Sequence, residues 1–385
     1  MNNPIMIIGS GFAAYQLVKT LRRTDSDTPI MVITADDGHD YNKPDLSHVF
    51  SKKQDADALI RQTAEVFAQE NGVTILTHTR IASIDSQAQT VTCENGEVMA
   101  YAKLVLATGA SAFVPPMAGS AVERIVTLNS RVEFQAAHQQ LSQSEHVLII
   151  GAGLIGTELA MDLASSGKTV SLVDPCDSVM ATLLPDAVSA PLQKQLRKRG
   201  VKLHLNNSVQ SLEQSEFGID VTLNSGDQFL VDSVISAAGL KPNVQLAQQV
   251  GLEVGKGIVV NRQLQTSQPN IYAIGDCAQI ENKVLSFLQP TLLSANVLAK
   301  ALLNGHVENA DLKLASMLVK VKTPDLPIQL SGHTGESVYR WSVELDGEGI
   351  TAKAFNVDDA LVGFVVTQNH MKNAFPMLRE LPALL

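Results

Sequence analysis

The amino-acid sequence predicts an α/β protein: two doubly wound, parallel-sheet domains and a small α+β domain at the C-terminal end. Three observations carry this expectation. Two segments run from a short apolar strand through a glycine-rich turn into an apolar helix, at Pro4–Leu21 and His146–Leu163. Each is echoed downstream by a buried strand that closes in small residues, Tyr101–Gly109 and Val231–Gly239. Residues 310–385 have no glycine-rich turn and alternate weakly, as short antiparallel strands do.

The second glycine unit is the more regular. A strand, Val147–Ile150, runs into Gly151-Ala152-Gly153-Leu154-Ile155-Gly156. Gly151 permits the tight turn, Gly153 lets the backbone approach a pyrophosphate, and Gly156 lets helix pack on strand. The helix N-terminus offers free N–H groups and the positive end of its dipole to phosphates. Gly167 stops the helix, and a second strand, Val170–Val173, ends on Asp174. That acid lies 18 residues past Gly156, near the spacing of about 20 at which a carboxylate holds ribose hydroxyls. Strand, turn, helix, strand and acid together define a Rossmann-like dinucleotide site. A carboxylate at this position accepts a 2′-hydroxyl and repels a 2′-phosphate, and Pro175-Cys176-Asp177 supplies no arginine, so NADH is expected over NADPH.

The first unit departs slightly from the same pattern. Its turn is Gly9-Ser10-Gly11-Phe12-Ala13-Ala14, with alanine small enough to serve in the third place. The strand Ile30–Ile33 leads to Thr34-Ala35-Asp36-Asp37, which leaves Asp36 as the ribose candidate and Asp37 as its alternative. Lys43-Pro44 in the polar loop Tyr41–Ser47 is expected to hold an extended backbone. Residues 54–71 read as one amphipathic packing helix. Strands follow at 73–76, 80–85 and 90–93. Pro115-Pro116 breaks the chain after Ala107-Thr108-Gly109. Beyond the second unit, the apolar strand before Gly275 delivers Asp276, placed for a ligand's hydroxyls or as a helix cap. A helix over Thr291–Leu303 begins near Pro290. The tail reads as strands at 316–321, 338–343, 350–355 and 361–366, then a helix from Gln368 to Leu378.

The totals exclude several classes. A net charge of −10 disfavours nucleic acid, whose binding needs a basic surface. No apolar run approaches the ~20 residues of a membrane span, and no basic region precedes the first apolar segment, so neither membrane nor secretion is expected. Cys93, Cys176 and Cys277 form no C-x-x-C pair, which fits a reducing cytoplasm and leaves no redox dithiol close in sequence. No metal-ligand set is expected. Lys194, Arg197, Lys198 and Arg199 sit in the last turns before Gly200 as a solvated face that suits the helix dipole.

In this order, the two glycine units, the two Ala/Gly strand ends and the late Gly275-Asp276 resemble the two-dinucleotide-domain flavoprotein disulfide reductase superfamily. The segments Tyr41–Ser47 and Leu104–Ser111, with the short last domain, are similar to its rubredoxin reductase branch. The resemblance implies FAD on the first unit, NADH on the second, and a chain that returns to complete the flavin domain. The boundaries it suggests are 1–112 and 243–309 for FAD, 113–242 for NADH and 310–385 for the last domain. It further implies that Gly9–Ala14 cradles the FAD pyrophosphate, Asp36 its ribose, and Asp276 its ribityl chain. Lys43 would lie by the isoalloxazine and Ala107–Gly109 near the flavin end. Glu158 would sit near nicotinamide and flavin, with Lys43 the nearest candidate for its partner.

Where superfamily members use a redox cysteine, the loop 40–47 has none. The resemblance therefore implies an oxidoreductase that passes electrons singly to a rubredoxin-type iron protein or the rubredoxin centre of a flavorubredoxin. A free rubredoxin or ferredoxin as acceptor, or a nucleotide-sensing interaction module, are the alternatives. Lys313, Lys320 and Lys322 are read as a docking patch for an acidic partner or as lysines guarding a sheet edge. A monomer is expected.

Overall fold

A computed structural model describes residues 3–304, 311–335 and 338–385. The predicted α/β class is borne out, and each glycine unit has its own parallel sheet. The first sheet orders its strands Ile271–Ala273, Lys103–Leu106, Ile5–Ile8, Ile30–Ile33 and Thr74–Leu76. These strands are apolar because helices cover the sheet, and all four residues of Ile5–Ile8 are buried. Ile271–Ala273 joins at the edge, so the chain does come back to the first sheet after building the second. The second sheet orders Lys202–His204, Thr169–Val173, His146–Ile150 and Ser233–Ser236. Each sheet also carries a three-stranded antiparallel meander, at 81–100 and 209–231.

Two strands link the domains. Ala110–Ala112 leaves the first and Leu240–Pro242 returns from the second, and they pair antiparallel. Asn243 ties the crossing: its Nδ2 donates to the Thr108 carbonyl at 2.8 Å, and its Oδ1 accepts from the Ser111 hydroxyl at 2.8 Å.

The last domain is a five-stranded antiparallel sheet ordered Val319–Val321, Ile328–Gly332, Leu361–Thr367, Gly349–Phe355 and Arg340–Asp346. It has no separate core on its inner face. Val321, Leu326, Ile328, Leu330, Ile350, Ala352 and Val365 share one buried cluster with Leu159, Leu163, Val188 and Leu192 of the second domain. Arg199 at the end of the helix Asp186–Lys198 adds an ion pair to Asp325, so one cation of the expected solvated face is committed to this packing.

Several expectations need correction. Residues 54–71 are not one helix. Asp55 accepts the Ala58 N–H beside a 3-10 turn at Asp57–Leu59, Ile60–Gln62 pairs as a strand with Asp40–Tyr41, and the α-helix spans only Ala64–Asn71. Thr63 caps that helix and Gly72, at φ 59°, ends it. Lys43-Pro44 opens a 3-10 helix, Lys43–His48, with the proline in its first turn, where its missing N–H costs nothing. Ile328–Gly332 is a further strand beyond those expected, directly after Pro327. The tail helix is a 3-10 turn, Gln368–Asn373, followed by Ala374–Glu380. The helix at Pro290 runs Leu288–Asn304.

The two glycine turns differ in tightness. A Cβ at Gly156 would collide with the Gly151 carbonyl oxygen, whereas Ala14 sits fully buried at the matching position of the first turn. If the second turn holds NADH and the first FAD, as the resemblance implies, Gly156→Ala should weaken NADH binding on the order of tenfold while the FAD content holds, since overpacking costs about 1–3 kcal/mol. Titration with NADH and the flavin absorbance check both halves, and unchanged NADH affinity would show that the turn can relax.

Candidate functional site

The first candidate cleft lies at the carboxyl ends of the first sheet. Gly9, at φ 112°, presses against the Ala107 carbonyl, which is why no side chain fits there. Gly11 has open space where a Cβ would point and heads the helix Phe12–Arg22 with no capping side chain and no acid in its first turn. An uncapped N-terminus with open room beside it fits a pyrophosphate. Ser10 donates to Asp36 Oδ1 at 2.9 Å, and Thr34 and the Gly38 N–H bond the same oxygen. These three bonds hold the Asp36 carboxylate at the strand end. Asp37 is instead engaged by Arg131, a buried guanidinium from the second domain, while Asp36 stays at the strand end beside the turn.

Gly275, at φ 80°, packs so closely on Ala13 that a Cβ would lie 2.7 Å away, which brings Asp276 beside the first turn. Lys43 Nζ stands 3.8 Å from Asp276 Oδ2. Burial pushes the Asp276 carboxyl up from its ordinary range, and the Lys43 charge opposes that shift. Gly9–Ala14, Asp36, Lys43, Ala107–Gly109 and Asp276 thus converge on one cleft. Cys277 next door is not a nucleophile. Its thiol is buried, donates to the Leu106 carbonyl at 3.3 Å, and is pushed up by burial, away from the thiolate. Neither Cys93 nor Cys277 is in a disulfide.

The second cleft repeats the design. Gly151, at φ 105°, approaches the Ala237 carbonyl so that a Cβ would lie 2.6 Å from it. Gly153 has open space and heads the helix Leu154–Ser165 without a cap, with Ile155 half exposed beside it. Asp174 accepts the Ala152 N–H at 2.6 Å and the Cys176 N–H at 2.8 Å, which locks the acid against the turn.

Glu158 corrects one pairing. It is 2% exposed, and its partners are the Ser47 hydroxyl at 2.7 Å and the Lys322 N–H at 2.8 Å, while Lys43 pairs with Asp276. One turn on, Asp162 accepts the Phe50 N–H at 2.8 Å and the Ser51 hydroxyl. The docking patch also changes. Lys322 donates from its ammonium to the Pro44 carbonyl and is not a free surface cation. Lys320 is exposed on the edge strand Val319–Val321, and Lys313 is exposed nearby in sequence. Arg131, Asn243, Ser47 and Lys322 had no sequence signal for these contacts, because each partner lies far away along the chain.

Two clefts of this kind on one chain define a pyridine-nucleotide oxidoreductase with two dinucleotide sites. The family described as pyridine nucleotide-disulphide oxidoreductase matches residues 3–297, and the chain belongs to it. A rubredoxin-binding C-terminal domain matches residues 311–381. A relative from Aliivibrio fischeri named nitric oxide reductase FlRd-NAD(+) reductase is 52% identical over 381 residues, 99% of each chain. One of the same name from Citrobacter koseri is 48% identical over 383 residues, the full length of both. Among solved structures, a ferredoxin reductase from Rhodopseudomonas palustris superposes with a TM-score of 0.87 at 25% identity, covering 97% of this chain and 93% of that one. Putidaredoxin reductase, crystallised covalently joined to putidaredoxin, also gives 0.87 at 25% identity, covering 99% and 94%. Among the described residues no helix is long and apolar enough to cross a membrane.

Replacing Asp174 by Ser and Asp177 by Arg should move the ratio of kcat/KM toward NADPH. The loss on NADH should be roughly tenfold to a hundredfold, the scale of a hydrogen bond to a charged group. Steady-state rates with both nucleotides test this, and an unmoved ratio would remove Asp174 from the ribose site.

Proposed function

We propose that this chain takes hydride from NADH on FAD and passes the electrons, one at a time, to the rubredoxin centre of a flavorubredoxin, in support of nitric oxide reduction in the cytoplasm. The observation that carries the reading is two glycine-turn clefts joined through Glu158 and the 43–48 loop, on a chain whose last domain matches rubredoxin-binding domains. The relatives' shared name supports the acceptor and the process. The lack of any C-x-x-C pair among three widely spaced cysteines supports a reducing compartment.

In this reading the Gly9–Ala14 turn and the helix behind it hold the FAD pyrophosphate. Asp36 holds its ribose, Asp276 its ribityl chain, and Ala107–Gly109 lies along the flavin end. The Gly151–Gly156 turn, with Leu154 and Ile155 heading its helix, holds the NADH pyrophosphate, and Asp174 its ribose. When bound, FAD would supply the conversion from a two-electron hydride donor to one-electron delivery, so that each NADH oxidised to NAD+ would reduce two ferric centres and release one proton. Lys43 contributes a positive charge where hydride transfer brings negative charge. Glu158, buried between three domains, orients the first turn of the NADH helix toward the flavin loop. With Cys277 held as a thiol and no cysteine in the loop 40–47, no thiolate relay competes with single-electron transfer.

Anaerobic stopped-flow tests the whole reading. NADH should bleach the flavin, and a rubredoxin-type iron protein should restore its colour faster than a [2Fe–2S] ferredoxin does. Preference for the ferredoxin would favour the alternative suggested by the ferredoxin reductase likeness, and bleaching without reoxidation by either would favour a nucleotide-sensing module. Lys43→Met should slow bleaching at saturating NADH by roughly a hundredfold, the scale of losing one preorganised charge, with NADH affinity little changed. If Lys313 and Lys320 help to dock an acidic partner, reoxidation slows as salt rises; a flat dependence leaves Lys320 as the guard of its sheet edge.

A further inference from the structure

The last domain meets the other two at the loop that carries Lys43. Lys322 follows the strand Val319–Val321, and its main-chain N–H donates to Glu158 Oε1 at 2.8 Å. Its ammonium donates to the carbonyl of Pro44, the residue next to Lys43. Glu158 Oε2 accepts from Ser47, whose hydroxyl is also 3.2 Å from that Pro44 carbonyl. Lys322, Pro44, Ser47 and Glu158 therefore close a ring with one member from the last domain, two from the first and one from the second. The 3-10 helix Lys43–His48 needs such ties, because its own hydrogen bonds have poor geometry. The Lys43–Asp276 contact, at 3.8 Å with both groups part-exposed, is too loose to place Lys43 by itself.

We propose that Lys322 is a positioning residue for hydride transfer: by holding the Pro44 carbonyl it sets Lys43, so the last domain completes the donor side of the reaction as well as meeting the acceptor. This rests on the function proposed above. A charge-assisted bond to a carbonyl is stronger and shorter than a neutral one, which suits an ammonium at this point. Small displacements of a positioned group cost rate far more than affinity.

The test uses the FAD-loaded enzyme with Lys322→Met, which keeps most of the side chain's packing, and Lys322→Arg, which keeps a charged donor. Flavin reduction at saturating NADH and reoxidation of dithionite-reduced enzyme by a rubredoxin-type protein are timed separately. The expected result is a reduction rate lowered roughly tenfold to a hundredfold in Lys322→Met, unchanged reoxidation, and recovery of most of the rate in Lys322→Arg. Unchanged reduction overturns the proposal. So does slowing confined to reoxidation, which would return Lys322 to the docking surface. Equal loss in Lys322→Met and Lys322→Arg with a lowered melting temperature makes the residue structural and overturns it too. Because the measurement is read on the NADH half-reaction, it stands apart from the acceptor test, which is read on which iron protein reoxidises the wild-type flavin.

Discussion

A carboxylate removed from water has to be satisfied by whatever replaces the water, and Glu158 is satisfied from outside its own domain. One oxygen takes a hydroxyl from the first domain and the other a main-chain N–H from the last. Its helix begins at the second glycine turn, so the orientation of that turn depends on both neighbours. Asp162, one turn further along, repeats the arrangement with Phe50 and Ser51. The helix behind the second glycine turn is thereby pinned by two buried acids to the 47–51 segment of the first domain. Removing either acid's partners would leave charge buried and unpaired, the costly case for such groups.

His48 lies in the same junction, its Nδ1 4.0 Å from Asp162 Oδ1, with burial lowering its pKa and Lys322 adding to that shift. Its Nε2 is buried without a hydrogen-bond partner. A neutral imidazole is the form that burial favours here, against the opposing pull of Glu158 and Asp162. Tyr41, at the start of the same loop, is pushed up to about 12 by burial and stays a phenol. Two groups on the loop that carries Lys43, His48 and Tyr41, are thus held in their neutral forms by burial.

Local chemistry explains what could be read in the sequence. A glycine turn between strand and helix is encoded within a few residues, so both clefts, the acids Asp36 and Asp174, and the strand ends at Ala107 and Ala237 were visible. The close approaches of Gly9 to Ala107 and Gly151 to Ala237 show the physical reason for that pattern. Contacts between distant segments leave no such trace. Nothing near Glu158 in sequence announces Ser47 or Lys322, and nothing near Asp37 announces Arg131. The misread elements have the same origin. Residues 54–71 carry a helical spacing, yet Ile60–Gln62 finds a strand partner in Asp40–Tyr41, and that pairing outweighs local preference. Ile328–Gly332 directly follows Pro327, but it is held on both sides by neighbouring strands.

The shared core between the second and last domains bears on how the protein is made. The apolar face formed by Leu159, Val188 and Leu192 is covered by Ile328, Ile350 and Val365, which the ribosome adds long afterwards. The edge strand Ile271–Ala273 of the first sheet is likewise synthesised after the whole second sheet. Neither early domain can close when its own residues emerge, and an unpaired strand edge and an open apolar face are the features chaperones recognise in growing chains. The first sheet is therefore completed only by Ile271–Ala273, and the apolar face of the second domain only by the last sheet.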